Sequence, residues 1–147
     1  MKKIIPPFLF LFCISLMVIL DWVLPSAEIF RSPIHYFGIV VVIMGLSMTI
    51  VVGKHFKKME TEIHTFKSPE KLVTGGLFKF SRNPIYLGFA LSLIGVWIIL
   101  GSILSVLGVI LFVVVTNFWY IPYEEKMMRK KFGAAYEEYK SRVRRWI

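Results

Sequence analysis

The sequence predicts an all-α fold, that of a polytopic membrane protein with four transmembrane helices in a single domain. Its 147 residues are 56% hydrophobic and the mean hydropathy is +0.68, which is too apolar for an ordinary soluble fold. Four apolar stretches approach the ~20 residues that a helix needs to cross a bilayer. These stretches are residues 6–24, 34–53, 85–100 and 103–123.

Two helical hairpins organise the four stretches. The first covers residues 1–53, and prolines in its short connecting loop mark the helix limits. The second covers residues 85–123, where only Gly101 and Ser102 separate two spans and force a tight antiparallel turn. Residues 54–84 form a loop between the hairpins, and residues 124–147 are predicted to form amphipathic interfacial helices. No small-x-small cleavage site follows the first stretch, so we expect a retained helix rather than a signal peptide.

Basic residues are distributed unevenly along the chain, whose net charge is +9. Of the 18 Lys and Arg residues, only Arg31 lies between the first two stretches, and none lies between the last two. The others are Lys2, Lys3 and two blocks at 54–82 and 126–145. The positive-inside rule then places both termini and the central loop in the cytoplasm, and we expect the cell (inner) membrane. This placement favours anionic membrane lipids, not nucleic acid, as the partner of the basic groups.

Cysteine and histidine positions give no sign of a disulfide or a metal site. Cys13 is the only cysteine of the chain and falls in the middle of the first stretch, where it is expected to be a small buried hydrophobe. His35, His55 and His64 lack the spacing of metal ligands. We therefore expect no metal in the function of this chain.

The loop segment of residues 71–88 is the first candidate site. It is polar, contains Gly75 and Gly76, and reaches Arg82, Asn83 and Pro84 where the third apolar stretch begins. Asn is a good helix cap and Pro suits the first helical turn, so a positively polarised helix end beside an arginine is a natural receptor for a carboxylate or phosphate. The alternative is that Asn83 only caps the helix and Arg82 only reaches lipid phosphate.

The end of the fourth stretch is the second candidate site. Asn117, Tyr120 and Glu124 are spaced i, i+3 and i+7, so they share a face if the helix continues past Pro122, which is expected to kink or end it. A carboxylate there is able to bind an ammonium group or ribose hydroxyls. The alternative is that both Glu124 and Glu125 form exposed ion pairs with Arg129 and nearby lysines, and this is our expectation for Glu125.

Past Pro122, the chain is predicted to form two short helices separated at Gly133, which is a plausible cap. In the second of them, Tyr136, Tyr139 and Val143 form one apolar stripe, while the charged residues lie largely elsewhere. This pattern is typical of helices that lie on the surface of a membrane.

Taken together, the two sites resemble the isoprenylcysteine carboxyl methyltransferase and phospholipid methyltransferase superfamily of small membrane enzymes. The resemblance covers about residues 70–147, in the same order and with a helical hairpin between the motifs. The matching motifs are Leu72-Val73-Thr74-x-Gly76-Leu77-Phe78, Arg82-Asn83-Pro84-x-Tyr86-x-Gly88, and Glu124-Glu125-x-x-Met128-x-x-x-Phe132-Gly133-x-x-Tyr136-x-x-Tyr139-x-x-x-Val143-x-Arg145.

The resemblance implies an S-adenosylmethionine-dependent methyltransferase with its cofactor in a cytoplasm-facing pocket and a lipophilic acceptor that enters from the bilayer. It implies that Arg82, Asn83 and Glu124 carry the chemistry. The residues implied to line the cofactor site are Lys71, Leu72, Val73, Phe78, Asn83, Pro84, Ile85, Tyr86 and Glu124. The acceptor is either isoprenylcysteine-carboxylate-like or a lipid.

Two departures from the superfamily pattern concern the acceptor. Asn83 stands where many members have His, which removes a titratable group. Where the prenylcysteine enzymes have a substrate-associated arginine before the paired glutamates, the nearby residues are Asn117 and Tyr120.

Two other classes of function stay open: an NADPH-dependent membrane reductase-like protein, and a non-enzymatic scaffold or transporter. The sequence does not predict the oligomeric state.

Overall fold

The structure is a computed structural model that describes residues 5–24, 27–30, 32–58 and 71–147. These residues form six α-helices, a 3₁₀ turn at Gly76–Lys79 and a π-turn at Thr116–Tyr120, and no strand. The helices are α1 (Pro6–Val23), α2 (Ile34–Lys58), α3 (Pro84–Leu100), α4 (Val106–Val115), α5 (Ile121–Phe132) and α6 (Ala134–Arg142). The predicted all-α fold is confirmed. Lys2, Lys3, Arg31 and His64 lie outside the described residues.

Three helical runs among the described residues are long and apolar enough to cross a membrane: Pro6–Val23, Ile34–Phe56 and Val106–Phe132. The last of these runs joins α4, the π-turn and α5. Helix α3 is equally apolar, but its 17 residues measure about 25 Å, slightly less than the ~30 Å of a bilayer core. The count of four spans therefore stays a prediction, whereas the chain clearly has the helices of an integral membrane protein.

Helices α2 and α3 pack closely because glycines face each other at their contact. A Cβ atom on Gly38 would lie 2.6 Å from the carbonyl oxygen of Gly95, and one on Gly95 would lie 2.7 Å from the carbonyl oxygen of Gly38. Further along the same contact, a Cβ atom on Gly88 would lie 2.7 Å from the carbonyl oxygen of Gly45. Small residues allow membrane helices to approach closely. The predicted packing role of Gly88 and Gly95 is confirmed.

The main apolar core lies where α1, α3 and α4 meet. Its centre is a group of three rings, with Phe10 stacked on Phe89 at 4.7 Å and Phe112 edge-on to Phe89 at 6.1 Å. Cys13 and Met17 complete it from α1, and both are fully buried. The predicted role of Cys13 as a small buried hydrophobe is confirmed.

The α3–α4 turn is tied to the segment between α1 and α2. Gly101 ends α3 in the left-handed conformation, at φ 73°, and its carbonyl oxygen accepts a hydrogen bond from the Ile29 amide at 2.7 Å. Trp97 donates its indole N–H to the Ser102 carbonyl at 3.0 Å and meets the Phe30 ring edge-on at 5.1 Å. Backbone and indole hydrogen bonds therefore hold this end of the hairpin.

Pro122 does not end the last long helix, since one helical run continues through it from Val106 to Phe132. Proline has no amide to donate within a helix, and the preceding π-turn absorbs this defect. The Ile121 amide bonds to the Thr116 carbonyl five residues earlier, and α5 continues from there. Gly133 then ends α5 at φ 51°, with its amide bonded to the Arg129 carbonyl at 3.0 Å, so its predicted role as a cap is confirmed.

Helix α6 folds back onto the loop segment. Tyr136 and Tyr139 are buried in a second apolar cluster with Val52, Val73 and Phe78. The stripe that the sequence assigned to a membrane surface is thus occupied largely by protein, and whether α5 and α6 also lie on the membrane stays a prediction. This arrangement brings α6, the loop segment and the start of α5 to one end of the helices.

Candidate active site

A cavity of about 450 Å³ opens at this end of the molecule, between the start of α1, the end of α2, the loop segment, and the first turns of α3 and α5. Eight of the nine residues expected to line a cofactor site lie in its wall, and so does Arg82; the eight are Lys71, Val73, Phe78, Asn83, Pro84, Ile85, Tyr86 and Glu124. Leu72 is instead partly buried in the second apolar cluster. The structure thus brings together two motifs that are about 40 residues apart in sequence.

Arg82 lies in the wall of this cavity and has hydrogen-bond donors with no partner in the part of the chain that the structure describes. Its side chain is only 8% exposed, and its Nη2 atom lies 3.2 Å from Oε1 of Glu125. Its Nε and Nη1 atoms are buried and have no hydrogen-bond partner among the described residues. A buried charged donor left unpaired is costly, so these two atoms favour the binding of an anion.

Glu125 does not form the exposed pairs that we expected. Its side chain is only 13% exposed and pairs with Arg82 on one side and Arg145 on the other. Arg129 pairs with Glu137 at 2.6 Å instead. The expectation was wrong because it considered neighbours along α5 alone, whereas the C-terminal residues fold back across this helix.

Asn83 does not cap α3 with its side chain, contrary to expectation. Its side-chain amide donates to the Arg145 carbonyl at 2.9 Å, and its backbone amide donates to the Ser81 hydroxyl at 3.1 Å. Asn83 therefore fastens the C-terminal residues to the start of α3. Pro84 stands in the first turn of the helix as expected.

Glu124 lies in the cavity wall, where Tyr86 of α3 donates its hydroxyl to Glu124 Oε1 at 2.7 Å. Tyr86 in turn stacks against Tyr120, with the ring centroids 6.3 Å apart. Asn117 serves another contact, because its side-chain oxygen accepts from Arg145 and Trp146. Of the three residues that the sequence placed on one face, Glu124 lines the cavity and Asn117 does not.

Sequence reasoning missed two tyrosines of α6 that contribute to the cavity wall. Tyr136 lies beside Arg82; burial raises its pKa, the charge of Glu125 adds to the rise, and Arg82 opposes it. Tyr139 donates its hydroxyl to the Phe78 carbonyl at 2.7 Å, and burial raises its pKa to about 12. The apolar spacing of both residues was visible in the sequence, but it indicated only a buried face and not what covers it.

The remainder of the wall is apolar apart from Thr49 and Glu125, and it includes residues outside the two motifs. Phe56 of α2 meets the Phe78 ring edge-on at 5.3 Å. Other apolar contributors are Pro6, Pro7, Phe89, Met127 and Met128. The cavity therefore combines a cationic corner at Arg82, a carboxylate at Glu124 and a largely apolar, aromatic interior, in a volume typical of small-molecule sites.

Comparison with known proteins identifies relatives of this chain. The model of the family described as phospholipid methyltransferase matches residues 33–135. The chain is 34% identical over 116 residues to a probable protein-S-isoprenylcysteine O-methyltransferase of Oryza sativa subsp. indica. The aligned region covers 75% of this chain and 59% of the relative. It is also 34% identical over 119 residues to protein-S-isoprenylcysteine O-methyltransferase B of Arabidopsis thaliana, covering 75% of this chain and 57% of that protein.

A bacterial relative matches a shorter part of the chain. An uncharacterized protein of Haemophilus influenzae is 43% identical over 63 residues, which are 43% of this chain and the whole of that protein. The chain spans less than three fifths of the length of the two plant relatives. No solved structure matches it.

Proposed function

The chain belongs to the phospholipid methyltransferase family, and from this premise we propose that it transfers a methyl group from S-adenosylmethionine to a lipophilic acceptor. The observation that carries the proposal is a pair of buried donors on Arg82 that have no partner among the described residues. They lie in the wall of a cavity large enough for a nucleoside with an amino-acid tail. A soluble acceptor is a weaker candidate, since most of the wall is apolar.

The lining residues fit the chemical groups of S-adenosylmethionine. Nε and Nη1 of Arg82 are suited to its carboxylate, because charge-assisted hydrogen bonds from arginine to carboxylates are strong. Glu124 is suited to the ammonium group or the ribose hydroxyls. Phe78 and Tyr86 are placed in the wall to contact the adenine ring or the sulfonium, and a cation is attracted to an aromatic face.

When bound, the cofactor supplies a methyl group on a sulfonium, which passes to the acceptor in one displacement step. The chain needs no nucleophile of its own, and its residues act by alignment and by exclusion of water. The Tyr86 hydroxyl fixes the Glu124 carboxylate, and Tyr139 fixes the backbone that carries Phe78. A carboxylate acceptor requires no general base, whereas an amine, hydroxyl or thiol has a proton to lose, for which Glu124 or a water is the candidate base.

We infer that the acceptor is lipophilic and enters from the bilayer at the cytoplasmic face. The cavity reaches the start of α1 and the end of α2, where Pro6, Gly53 and Phe56 line it. Two relatives are named as protein-S-isoprenylcysteine O-methyltransferases, so an isoprenylcysteine-like carboxylate and a lipid are both candidate acceptors. The positive-inside pattern supports cytoplasmic termini and a cytoplasmic cavity.

Calorimetry with S-adenosylhomocysteine on the purified protein tests the proposal. We expect saturable binding that Phe78→Ala and Glu124→Ala weaken. Phe80→Ala is the matched control, because Phe80 is in the same segment but 73% exposed, whereas Phe78 is 8% exposed. Absence of binding to the wild type would overturn the proposal, as would saturable NADPH binding in its place. Unchanged binding by both variants would overturn the residue assignment.

The acceptor is identified by transfer of labelled methyl groups to total lipid and protein extracts, with the products separated by class. Label in a lipid fraction or in prenylated protein supports a lipophilic acceptor and distinguishes the two candidates. Label confined to water-soluble small molecules would contradict the inferred acceptor class.

A further inference from the structure

The last residues of the chain cross the start of α3 and are bonded to it through their backbone. The Arg82 amide donates to the Arg144 carbonyl at 3.0 Å. The Asn83 side-chain amide donates to the Arg145 carbonyl at 2.9 Å, and the Ser81 hydroxyl donates to the same oxygen at 3.4 Å. This backbone pairing places the Arg145 side chain next to the carboxylate that Arg82 uses.

The guanidinium group of Arg145 contacts both oxygens of the Glu125 carboxylate. Its Nε atom lies 3.1 Å from Oε1 of Glu125 and its Nη2 atom lies 2.9 Å from Oε2. Its Nη1 atom donates to Asn117 Oδ1 at 3.3 Å, an oxygen that also accepts from the Trp146 indole. Bidentate pairing of this kind fixes the orientation of a carboxylate as well as its position.

Glu125 is therefore shared unequally between two guanidinium groups. Arg145 contacts both carboxylate oxygens, whereas Arg82 reaches Oε1 through Nη2 alone. Nε and Nη1 of Arg82 stay without a partner among the described residues. Two positive groups face one carboxylate here, so the local charge balance also favours an added anion.

We propose that Arg145 is a positioning residue that keeps Nε and Nη1 of Arg82 available for the carboxylate of the ligand. In its absence Glu125 is free to turn and pair with Arg82 in bidentate fashion, which would consume the donors that the ligand needs. Asn117 supports the arrangement because it holds the third nitrogen of Arg145. The proposal rests on the proposed function, since it takes the ligand to be S-adenosylmethionine.

The test compares S-adenosylmethionine with decarboxylated S-adenosylmethionine, which lacks only the carboxylate, by calorimetry on the full chain. We expect the wild type to prefer the carboxylate-bearing ligand by about 100-fold or more, because the two hydrogen bonds from Arg82 are made to this ligand alone. Arg145→Met should remove most of this preference while its affinity for the decarboxylated ligand changes little. The preference of Arg145→Lys should lie between those of the wild type and Arg145→Met, because lysine keeps the charge but cannot make the bidentate contact.

A second substitution separates positioning from a general structural role. The double variant Glu125→Gln, Arg145→Met replaces the Glu125 carboxylate, which would compete with the ligand for Arg82, by a neutral amide. This variant should therefore regain part of the preference for the carboxylate-bearing ligand that Arg145→Met loses. Arg144→Met is the matched control, because this neighbour offers its backbone carbonyl and has an exposed side chain. We expect this control to bind both ligands like the wild type.

Each contrary result has a distinct meaning. If the wild type binds neither ligand, the proposed function fails. If the wild type prefers the carboxylate and Arg145→Met keeps that preference, the positioning role is overturned while the proposed function stands. Equal loss of affinity for both ligands in Arg145→Met, without recovery in the double variant, would likewise overturn it, because a structural defect affects both ligands alike.

Discussion

The two ends of α3 differ in how completely their polar groups are hydrogen-bonded. At the Gly101 end, the backbone carbonyl of Gly101, the indole of Trp97 and the amide of Ile103 all have hydrogen-bond partners in the neighbouring turns. At the other end Arg82 is buried with two donors that have no partner among the described residues, beside a cavity of about 450 Å³. Satisfied polar groups hold structure together, and unsatisfied ones mark the end where a ligand belongs.

The comparison predicts that substitutions at the two ends separate binding from stability. Changes to the side chains proposed to contact the ligand, Arg82 and Glu124, should weaken ligand binding at small cost in folding. Changes at the Gly101 end should reduce stability and leave the affinity of the folded protein unchanged. We expect the size of the effect to decrease in the order Arg82, Gly101, Glu124 and Tyr139.

Arg82→Gln should have the largest effect on binding. Hydrogen bonds to charged groups contribute about 1.5–3 kcal/mol each, so loss of two of them should lower the affinity for S-adenosylhomocysteine by about 100-fold or more. Isothermal calorimetry measures this change. Arg144→Gln, whose side chain is exposed, is the control that should bind normally. If Arg82→Gln bound the ligand with wild-type affinity, the claim that the Arg82 end of α3 is the ligand-binding end would be contradicted.

Gly101→Ala should be the corresponding change at the opposite end. A Cβ atom there would lie 2.6 Å from the Phe30 carbonyl oxygen, at φ 73°, a conformation unfavourable to alanine. We expect a loss of about 2 kcal/mol in the free energy of unfolding, measured by denaturation in detergent, with unchanged ligand affinity. A variant of normal stability, or one with a specific binding defect, would contradict the structural role of this end.

Glu124→Gln should lower the affinity for S-adenosylhomocysteine by about tenfold, because a neutral amide cannot pair with an ammonium group as a carboxylate does. The fold should be retained, since the amide oxygen still accepts from Tyr86. Glu138→Gln serves as the control, because Glu138 is 71% exposed and pairs with Arg142 on the surface. An equal effect of both substitutions would indicate general electrostatics rather than a specific contact.

Tyr139→Phe should reduce stability by about 1 kcal/mol at neutral pH, because it removes the hydrogen bond to the Phe78 carbonyl. The pKa of Tyr139 is about 12 in the folded protein against an ordinary value of 10.0, so the folded state retains the proton longer. Its stabilising contribution is therefore complete below pH 10 and is lost as the pH rises towards 12.

Unfolding measurements between about pH 8 and pH 12 test this prediction. The wild type should lose more stability over the alkaline range than Tyr139→Phe, while burial of Tyr136 contributes to the loss in both proteins. The same alkaline loss in the variant and the wild type would contradict the assignment of this titration to Tyr139.

Apolar length and turn residues were sufficient to predict the helices. The stretches of the first hairpin match α1 and most of α2, which continues past the predicted end at residue 53 to Lys58, and Gly133 separates α5 from α6 as expected. The continuation of the helix through Pro122 was not predictable. It depends on a π-turn, in which the hydrogen bond spans five residues instead of four, and no single residue type marks such a turn in the sequence. Proline alone indicated that the helix would kink or end there, whereas the helical run continues to Phe132.

The local parts of the candidate site were predictable and the long-range parts were not. Arg82 and Asn83 adjoin a glycine-broken loop and a helix start, and this local pattern is enough to indicate a polar site. Arg145 meets Asn83 across 62 positions of sequence. Contacts at that distance depend on how α6 folds back onto the loop segment, and no pattern near Arg145 or Glu125 indicated their pairing.

The most direct test of the account is a structure of the protein with S-adenosylhomocysteine bound. We expect the carboxylate of the ligand within ~3 Å of Nε and Nη1 of Arg82, with its nucleoside against the aromatic wall of the cavity. A ligand bound elsewhere, or one whose carboxylate points away from Arg82, would contradict the claim that the unsatisfied end of α3 is the cofactor site.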